Sequence, residues 1–305
     1  MELLQLQYFR TVARLEHMTK ASRELRIAQP ALSKTISRLE EDIGVPLFDR
    51  HKGKIRLNLY GKAFLNKAEQ ALRLLEEGKR EVADLAGLEK GGIHLATSNL
   101  DRLTGAMNEF LALHPEVNLR ISHVSPAQSA HHIASGEADL SFSPLSVEQT
   151  DCAQVPVLSE DLYLAVPLGH PFAGRSRISL KEAAREPFIG YREDFIFQQM
   201  NDDILKQAGA APRYICRVDE PPAILSLVRA GIGVALFGCK RGENADSDLV
   251  FIPVEDPGCR RQYYLAWHEQ RYLSAAAREF RDFVVQYFAK NGPEPGMGLE
   301  RRVSK

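Results

Sequence analysis

Residues 28–44, Ala28-Gln29-Pro30-Ala31-Leu32-Ser33-Lys34-Thr35-Ile36-Ser37-Arg38-Leu39-Glu40-Glu41-Asp42-Ile43-Gly44, decide how the first part of this chain folds. Pro30 suits the first turn of a helix, where its missing N–H costs nothing. Leu32, Ile36 and Leu39 recur at three- and four-residue steps and so share one apolar face. Gly44 supplies the stop, because a helix end readily turns left-handed at glycine. The other side carries Gln29, Pro30, Ser33, Lys34 and Arg38. Amide and basic groups reach base edges, and hydroxyl and basic groups hold phosphates, so this division suits a helix that reads DNA.

The flanks agree with that reading. Upstream, Leu3, Leu6, Phe9 and Ala13 mark a first helix. Thr19 is placed as the N-cap of a second helix that carries Ala21 and Leu25 and ends near Arg26. Downstream, Val45–Phe48 and Ile55–Leu57 are two short extended segments about the basic turn His51-Lys52-Gly53-Lys54. That is the pattern of a β-wing, whose Lys52, Lys54 and Arg56 can neutralise neighbouring phosphates. Arg50 is expected to do the same or to brace the wing. Basic residues alone fit a helical bundle with a solvated charged face better than DNA binding; helix, turn, helix and wing in succession favour DNA.

Charge distribution points the same way. The first sixty residues hold eleven bases against seven acids, +4, so the remainder carries −5 within a chain whose net charge is −1. A basic head on an acidic body suggests a polyanionic partner for the head alone. The length, 305 residues, exceeds one ordinary domain, and 44% hydrophobic with 26% charged residues is normal globular usage. No apolar run approaches the roughly 20 residues of a membrane span, and the charged N-terminus is unlike a signal peptide, so the expected compartment is the cytoplasm, with no membrane partner. Cys152, Cys216, Cys239 and Cys259 form no CxxC and no zinc spacing, so no metal and no cofactor are expected. Unpaired buried thiols are the plain reading, a redox pair the sharper one.

From Gly61 to about Leu88 the pattern lengthens. Phe64, Ala68, Ala71, Leu75, Gly78, Val82 and Leu85 alternate steps of four and three, a heptad seam that calls for a partner helix. Packing on its own domain is the alternative. Gly91-Gly92 marks a boundary, after which strands and helices alternate: Ile93–Thr97, a helix through Phe110 and Leu113, Val117–Val124, a helix to Gly136, and Asp139–Ser143. Such βαβαβ order implies a parallel sheet. A second series follows, with strands at Asp161–Val166, Phe188–Tyr191, Tyr214–Val218, Gly233–Phe237 and Tyr263–Trp267. Helices fall near Gln198–Ala208 and Pro222–Ala230, and Ala275–Phe288 closes the series. The expected fold is therefore α+β and multidomain. It comprises a winged helix-turn-helix (1–60), a linker and dimerisation helix (61–90) and a two-lobed α/β domain (91–290). Lobe I covers about 91–161 and 267–290, and lobe II about 162–266. Residues 291–305, rich in glycine, proline and charge, read as a disordered tail.

The runs Leu6-Gln7-Tyr8-Phe9, Thr19-Lys20-Ala21-Ser22, Ala28 to Ile36, and Gly44-Val45-Pro46-Leu47-Phe48-Asp49-Arg50 closely resemble the LysR-type transcriptional regulators. The likeness is dense over the first sixty residues. It is looser but collinear further on, in Gly136-Glu137-Ala138-Asp139-Leu140, Glu160–Phe172 and Gly231-Ile232-Gly233-Val234-Ala235. The resemblance implies a homodimer or homotetramer bound to promoter DNA, an effector domain similar to periplasmic binding proteins, and contact with RNA polymerase. It also implies Gln29, Pro30, Ser33 and Lys34 at the major groove, with Thr19 and Arg50 at the backbone. Ala28 departs from the family, which often has a capping Ser there; its loss costs about 1 kcal/mol of local stability.

In two-lobed α/β domains ligands sit beyond the carboxyl ends of strands, near helix N-termini. Those positions are Ser98, Asn99, Ser125, Ser143, Tyr191, Arg192, Asp219 and Glu220. With Arg192 to pair with a carboxylate, the expected effector is a small carboxylate-bearing metabolite. Enzyme chemistry is not expected: there is no GxSxG elbow, P-loop or strand-borne GxGxxG, and the adjacent His131 and His132 point different ways on a helix. A C-terminal part that only assembles subunits is the remaining alternative.

Overall fold

Leu6, Phe9 and Val12 line one side of the first helix, α1 (Leu3–Leu15), and all three are buried. The computed structural model describes residues 1–51, 54–86, 92–219, 221–239 and 248–291, and it divides the chain into two compact units, Met1–Lys90 and Gly91–Lys305. In the first unit α1 is followed by α2 (Met18–Glu24) and α3 (Gln29–Ile43). A hairpin of β1 (Phe48–His51) and β2 (Lys54–Leu57) then leads to the long α4 (Leu59–Leu85). Leu32, Ile36 and Leu39 of α3 are fully buried against Phe9, Val12 and Leu47, as the periodicity requires. Each such side chain contributes about 1.5–3 kcal/mol.

Local chemistry fixes the junctions. Pro30 sits in the first turn of α3 and Gly44 ends it at φ +86°. The N-cap of α2 is His17, whose ring Nδ1 accepts the Lys20 N–H at 3.4 Å, and not Thr19, which lies inside the helix. A ring nitrogen can cap as a hydroxyl does, and residue type alone points to the threonine. Glu40 accepts the N–H groups of Leu47 (2.8 Å) and Phe48 (3.2 Å), so the wing begins at Phe48 rather than Val45. Glu16 accepts the Leu57 N–H at 3.0 Å, tying the second wing strand to the end of α1. A side chain on Gly61 would collide with the Leu47 carbonyl, so glycine lets α4 leave directly beneath the wing. The seam of α4 divides: Phe64 and Ala68 pack in this unit's core, whereas Leu75, Val82 and Leu85 are exposed.

The second unit begins with β3 (Gly92–Thr97), a single 3-10 turn (Leu100–Arg102), α5 (Thr104–Leu113), β4 (Asn118–His123), α6 (Pro126–Ser135) and β5 (Leu140–Ser143). Next come β6 (Cys152–Pro167), α7 (Leu180–Ala183), β7 (Pro187–Tyr191), α8 (Ile196–Gln207), β8 (Arg213–Val218) and α9 (Pro221–Arg229). The series closes with β9 (Ala235–Cys239), β10 (Leu249–Pro253), β11 (Arg260–His268) and α10 (Ala275–Asn291). The helix thus reaches Asn291, and the rest of the expected tail lies outside the described residues.

The βαβαβ order gives the parallel set β4-β3-β5, and β7-β8 is a second parallel pair. The two halves are not separate sheets. Strand β11 pairs antiparallel with both β5 and β6, and β6 continues between β9 and β10, making one seven-stranded sheet. At 16 residues, roughly 50 Å when extended, β6 is long enough to serve both lobes. Its alternation sorts the cores: Leu162, Leu164 and Val166 pack in one, Ala165 in the other. Pro156, which cannot donate to a ladder, sits where the β6–β11 register slips between Tyr263 and Tyr264.

No helix among the described residues is long and apolar enough to cross a membrane, and none of their His, Cys, Asp and Glu side chains group as a metal site. All four cysteines are free. Burial pushes the Cys259 thiol up to about 11 and raises that of Cys152, so both stay protonated near neutrality.

Candidate functional site

Two surfaces carry the chemistry the sequence singles out. On the first unit, Thr19, Gln29, Pro30, Lys34 and Arg38 are exposed and Ser33 half-exposed, while the opposite side of α3 is entirely in the core. The helix therefore offers its amide, hydroxyl and basic groups as one continuous solvent face. Arg50 donates to the second Glu40 oxygen at 3.0 Å. One carboxylate thus holds both the turn into the wing and the arginine on it. Lys52 lies outside the described residues, and for Lys54 the strand pairing with His51 is what is described.

On the second unit a cavity of about 450 Å³ opens beyond the ends of β3, β4, β7 and β8. Ser98, Asn99 and Arg102 follow β3, His123 ends β4, Tyr191 ends β7 and Asp219 follows β8. The two crossing strands supply the floor. Glu160 of β6 is fully buried and ion-paired with Arg102, and its Oε2 accepts the Tyr263 hydroxyl at 3.2 Å. Arg102 also donates to the Gly238 carbonyl on β9 at 2.7 Å. Arg261 of β11, 3% exposed, donates to Asn201 Oδ1 of α8 at 2.6 Å and lies over the Phe197 ring at 4.5 Å. Asn99 donates to the Tyr263 hydroxyl at 3.2 Å. Gln198, fully buried, accepts the Tyr191 N–H at 2.9 Å and so fixes the end of β7.

Burial of both phenols raises the Tyr191 and Tyr263 hydroxyls above their ordinary value, although Arg261 opposes this at each. They are neutral hydrogen-bonding groups at any working pH, so the charge of the floor is set by Arg102, Arg261 and Glu160. The arrangement suits binding: five aromatic rings, Tyr191, Phe195, Phe197, Phe237 and Tyr263, line the cavity beside a few fixed polar groups.

Residues 3–62 match the family model for the bacterial regulatory helix-turn-helix protein of the lysR family, and residues 86–289 match the LysR substrate binding domain. The chain belongs to the LysR family of transcriptional regulators. A LysR-family regulator binds DNA through the first segment and carries an effector-binding domain in the second. Relatives align over nearly the whole length. The uncharacterized HTH-type transcriptional regulator YybE of Bacillus subtilis is 31% identical over 95% of this chain and 100% of its own. The transcriptional dual regulator GltC of the same organism is 30% identical over 95% and 98%. Among solved structures, CbnR complexed with its target DNA shares the fold at a TM-score of 0.68 and 22% identity, covering 94% of this chain and 99% of that one.

In this LysR-family regulator, Ser98, Asn99, Tyr191 and Asp219 all line the cavity. Three other expected positions do not. Ser125 caps α6 and exchanges hydrogen bonds with Gln128. Ser143 accepts the Leu145 N–H at 3.2 Å beneath the surface. Arg192 is exposed at the mouth, paired with Asp194 and lying 3.6 Å from Asp219. Glu220 lies outside the described residues. The residues that sequence reasoning missed are those of the floor, Arg102, Glu160 and Arg261. A charge among alternating strand residues looks solvent-facing; the mark that could have found the latter two is their place on the strands that join the lobes.

Proposed function

We propose a division of labour in which residues 1–60 bind the operator, α4 within 61–90 dimerises the chain, and 91–290 bind the effector. The exposed face of α3 enters the major groove with Gln29, Pro30, Ser33 and Lys34 toward base edges. Thr19, Arg38, Arg50, Lys52 and Lys54 meet the phosphate backbone. The observation that carries this reading is the division of α3, with three apolar residues at zero exposure and Gln29, Pro30, Lys34 and Arg38 exposed on the other side, Ser33 half-exposed among them. Arg50, held by Glu40, supplies a positioned rather than a free charge.

The exposed stripe Leu75, Val82 and Leu85 supports dimerisation, since an apolar heptad face left in water has no reason to persist without a partner helix. A homodimer, or a homotetramer built from it, presents two reading helices to an inverted repeat, and RNA polymerase is the expected partner at the promoter. A regulator of promoter DNA works where that DNA is, in the bacterial cytoplasm. The cavity of the second unit takes a small carboxylate-bearing effector held by Ser98, Asn99 and Tyr191 together with Arg102 and Arg261, with Asp219 placed to meet an amine.

Fluorescence-anisotropy titration of the protein's own promoter DNA at several salt concentrations tests the DNA half of this reading. Specific binding that Gln29→Ala relaxes and Lys34→Ala weakens for every sequence supports it. Wild-type binding no tighter than to random DNA, with both variants matching it, overturns it.

A further inference from the structure

Arg102 is ion-paired with Glu160, whereas Arg261, 3% exposed, has no carboxylate within ion-pair distance among the described residues and so brings a buried positive charge to the cavity floor. Among the described residues, the other carboxylates on the cavity wall, Asp101 and Asp219, are exposed at its mouth, where solvent screens them, and Asp219 already faces Arg192. Among the described residues, Ser98 Oγ and Arg261 Nε are buried and lack a hydrogen-bond partner. Both belong to residues lining this cavity. Above the floor the walls are rings. Tyr191, Phe195 and Phe197 contact one another with centroids 5.1–6.0 Å apart, and Phe237 and Tyr263 complete the enclosure.

We infer that the effector is a monoanionic aromatic carboxylate whose carboxylate neutralises the Arg102–Arg261 floor and whose ring stacks among the surrounding aromatics. This deepens, and rests on, the reading of the cavity as the effector site. A carboxylate is planar and accepts from the forked guanidinium, so it fits an arginine floor better than a neutral acceptor does. A flat ring meets aromatic faces in offset or edge contacts that an aliphatic chain of equal size lacks. A second carboxylate on the same ring would lie among the hydrophobic rings of Phe195, Phe197 and Phe237. Glu160 is thus a specificity-determining residue, since it is ion-paired with Arg102 and leaves Arg261 as the cation that an effector carboxylate meets. A volume of about 450 Å³ lies toward the small end of ligand sites, suited to one ring and its substituents.

Calorimetric titration of the full-length protein with benzoate, benzamide, hexanoate and phthalate tests the inference. Benzoate should bind about tenfold to a hundredfold more tightly than benzamide, the worth of a charge-assisted hydrogen bond in place of a neutral one. It should also exceed hexanoate and phthalate. Glu160→Gln should narrow or reverse the preference for benzoate over phthalate. If that variant fails to fold, the order of the four probes on the wild type decides alone. Equal affinity for benzamide, tighter wild-type binding of phthalate, or no binding of benzoate overturns the inference. Leu225→Trp, which fills the cavity, separates this from failure of the underlying reading: benzoate binding that survives the tryptophan lies elsewhere, and the cavity is then not the effector site.

Discussion

The exposed face of α3 and the cavity of the second unit, the proposed DNA and effector sites, are assembled in opposite ways. Every side chain assigned to base edges stands on α3 or its first turn, within a few residues of its neighbours. The floor of the cavity is drawn from remote parts of the chain: Tyr263 reaches Glu160 across 103 residues, Arg102 reaches Gly238 across 136, and Asn99 reaches Tyr263 across 164. A surface built from one helix fails one contact at a time, because its scaffold is an ordinary apolar core. A floor of interlocked buried charges fails as a unit, because removing one member strands the others. Substitutions should therefore separate stability from recognition in the first unit and merge them in the second.

The sharpest way to break this contrast is Glu160→Ala. It removes the carboxylate ion-paired with Arg102 and bonded to the Tyr263 hydroxyl and should destabilise the second unit by about 3–5 kcal/mol. Trp267, the chain's single tryptophan, lies on β11 and reports that unit, so urea unfolding followed by its fluorescence measures the loss. A change below 1 kcal/mol would show that the floor is not held by this pair. The counterpart in the first unit is Ile36→Ala, expected to cost about 2–4 kcal/mol through cavity formation beneath α3. It should abolish operator binding while leaving the Trp267 transition in place.

Gly238→Ala is the next test. Its new Cβ would lie 2.8 Å from Glu160 Oε2 and 3.0 Å from Arg261 Nη1. The floor has no slack there, so a loss of about 1–3 kcal/mol in stability and weakened effector binding should appear together. On the reading helix, by contrast, Gln29→Ala should remove about 1–3 kcal/mol of discrimination between operator and mismatched DNA, with unchanged unfolding. Lys34→Ala should lower affinity for all sequences and reduce the salt slope by about 0.9. Smallest is Ala28→Ser. Ala28 is the N-cap of α3 and makes no side-chain cap, so the hydroxyl should stabilise the first unit by about 0.5–1 kcal/mol.

What could be read in advance follows from the same contrast. Periodicity finds α1, α3 and α4 because helical neighbours are sequence neighbours, and Pro30 and Gly44 mark the ends of α3 by backbone preference alone. The misplaced cap of α2, Thr19 for His17, is a choice between two capping groups two residues apart. In the second unit the strand ends are legible, and with them Ser98, Asn99, Tyr191 and Asp219. Strand β10, Leu249–Pro253, is not, since a short apolar run takes its identity from pairing with β6. Ser125, Ser143 and Arg192 share the same local signature as the residues that line the cavity, and only the fold separates them.

The sequence by itself determined the family, the winged helix-turn-helix, the polar face of α3 and the βαβ order of the second unit. These rest on residue spacing and backbone preference, which act over a few positions. The tertiary structure alone decided that β6 and β11 bind both lobes into one sheet, that half of α4 is packed and half exposed, and that Arg102, Glu160 and Arg261 meet under aromatic rings. The physical reason is burial. Whether a charge on a strand faces water or another charge depends on what long-range pairing brings to its far side, and no local pattern records that.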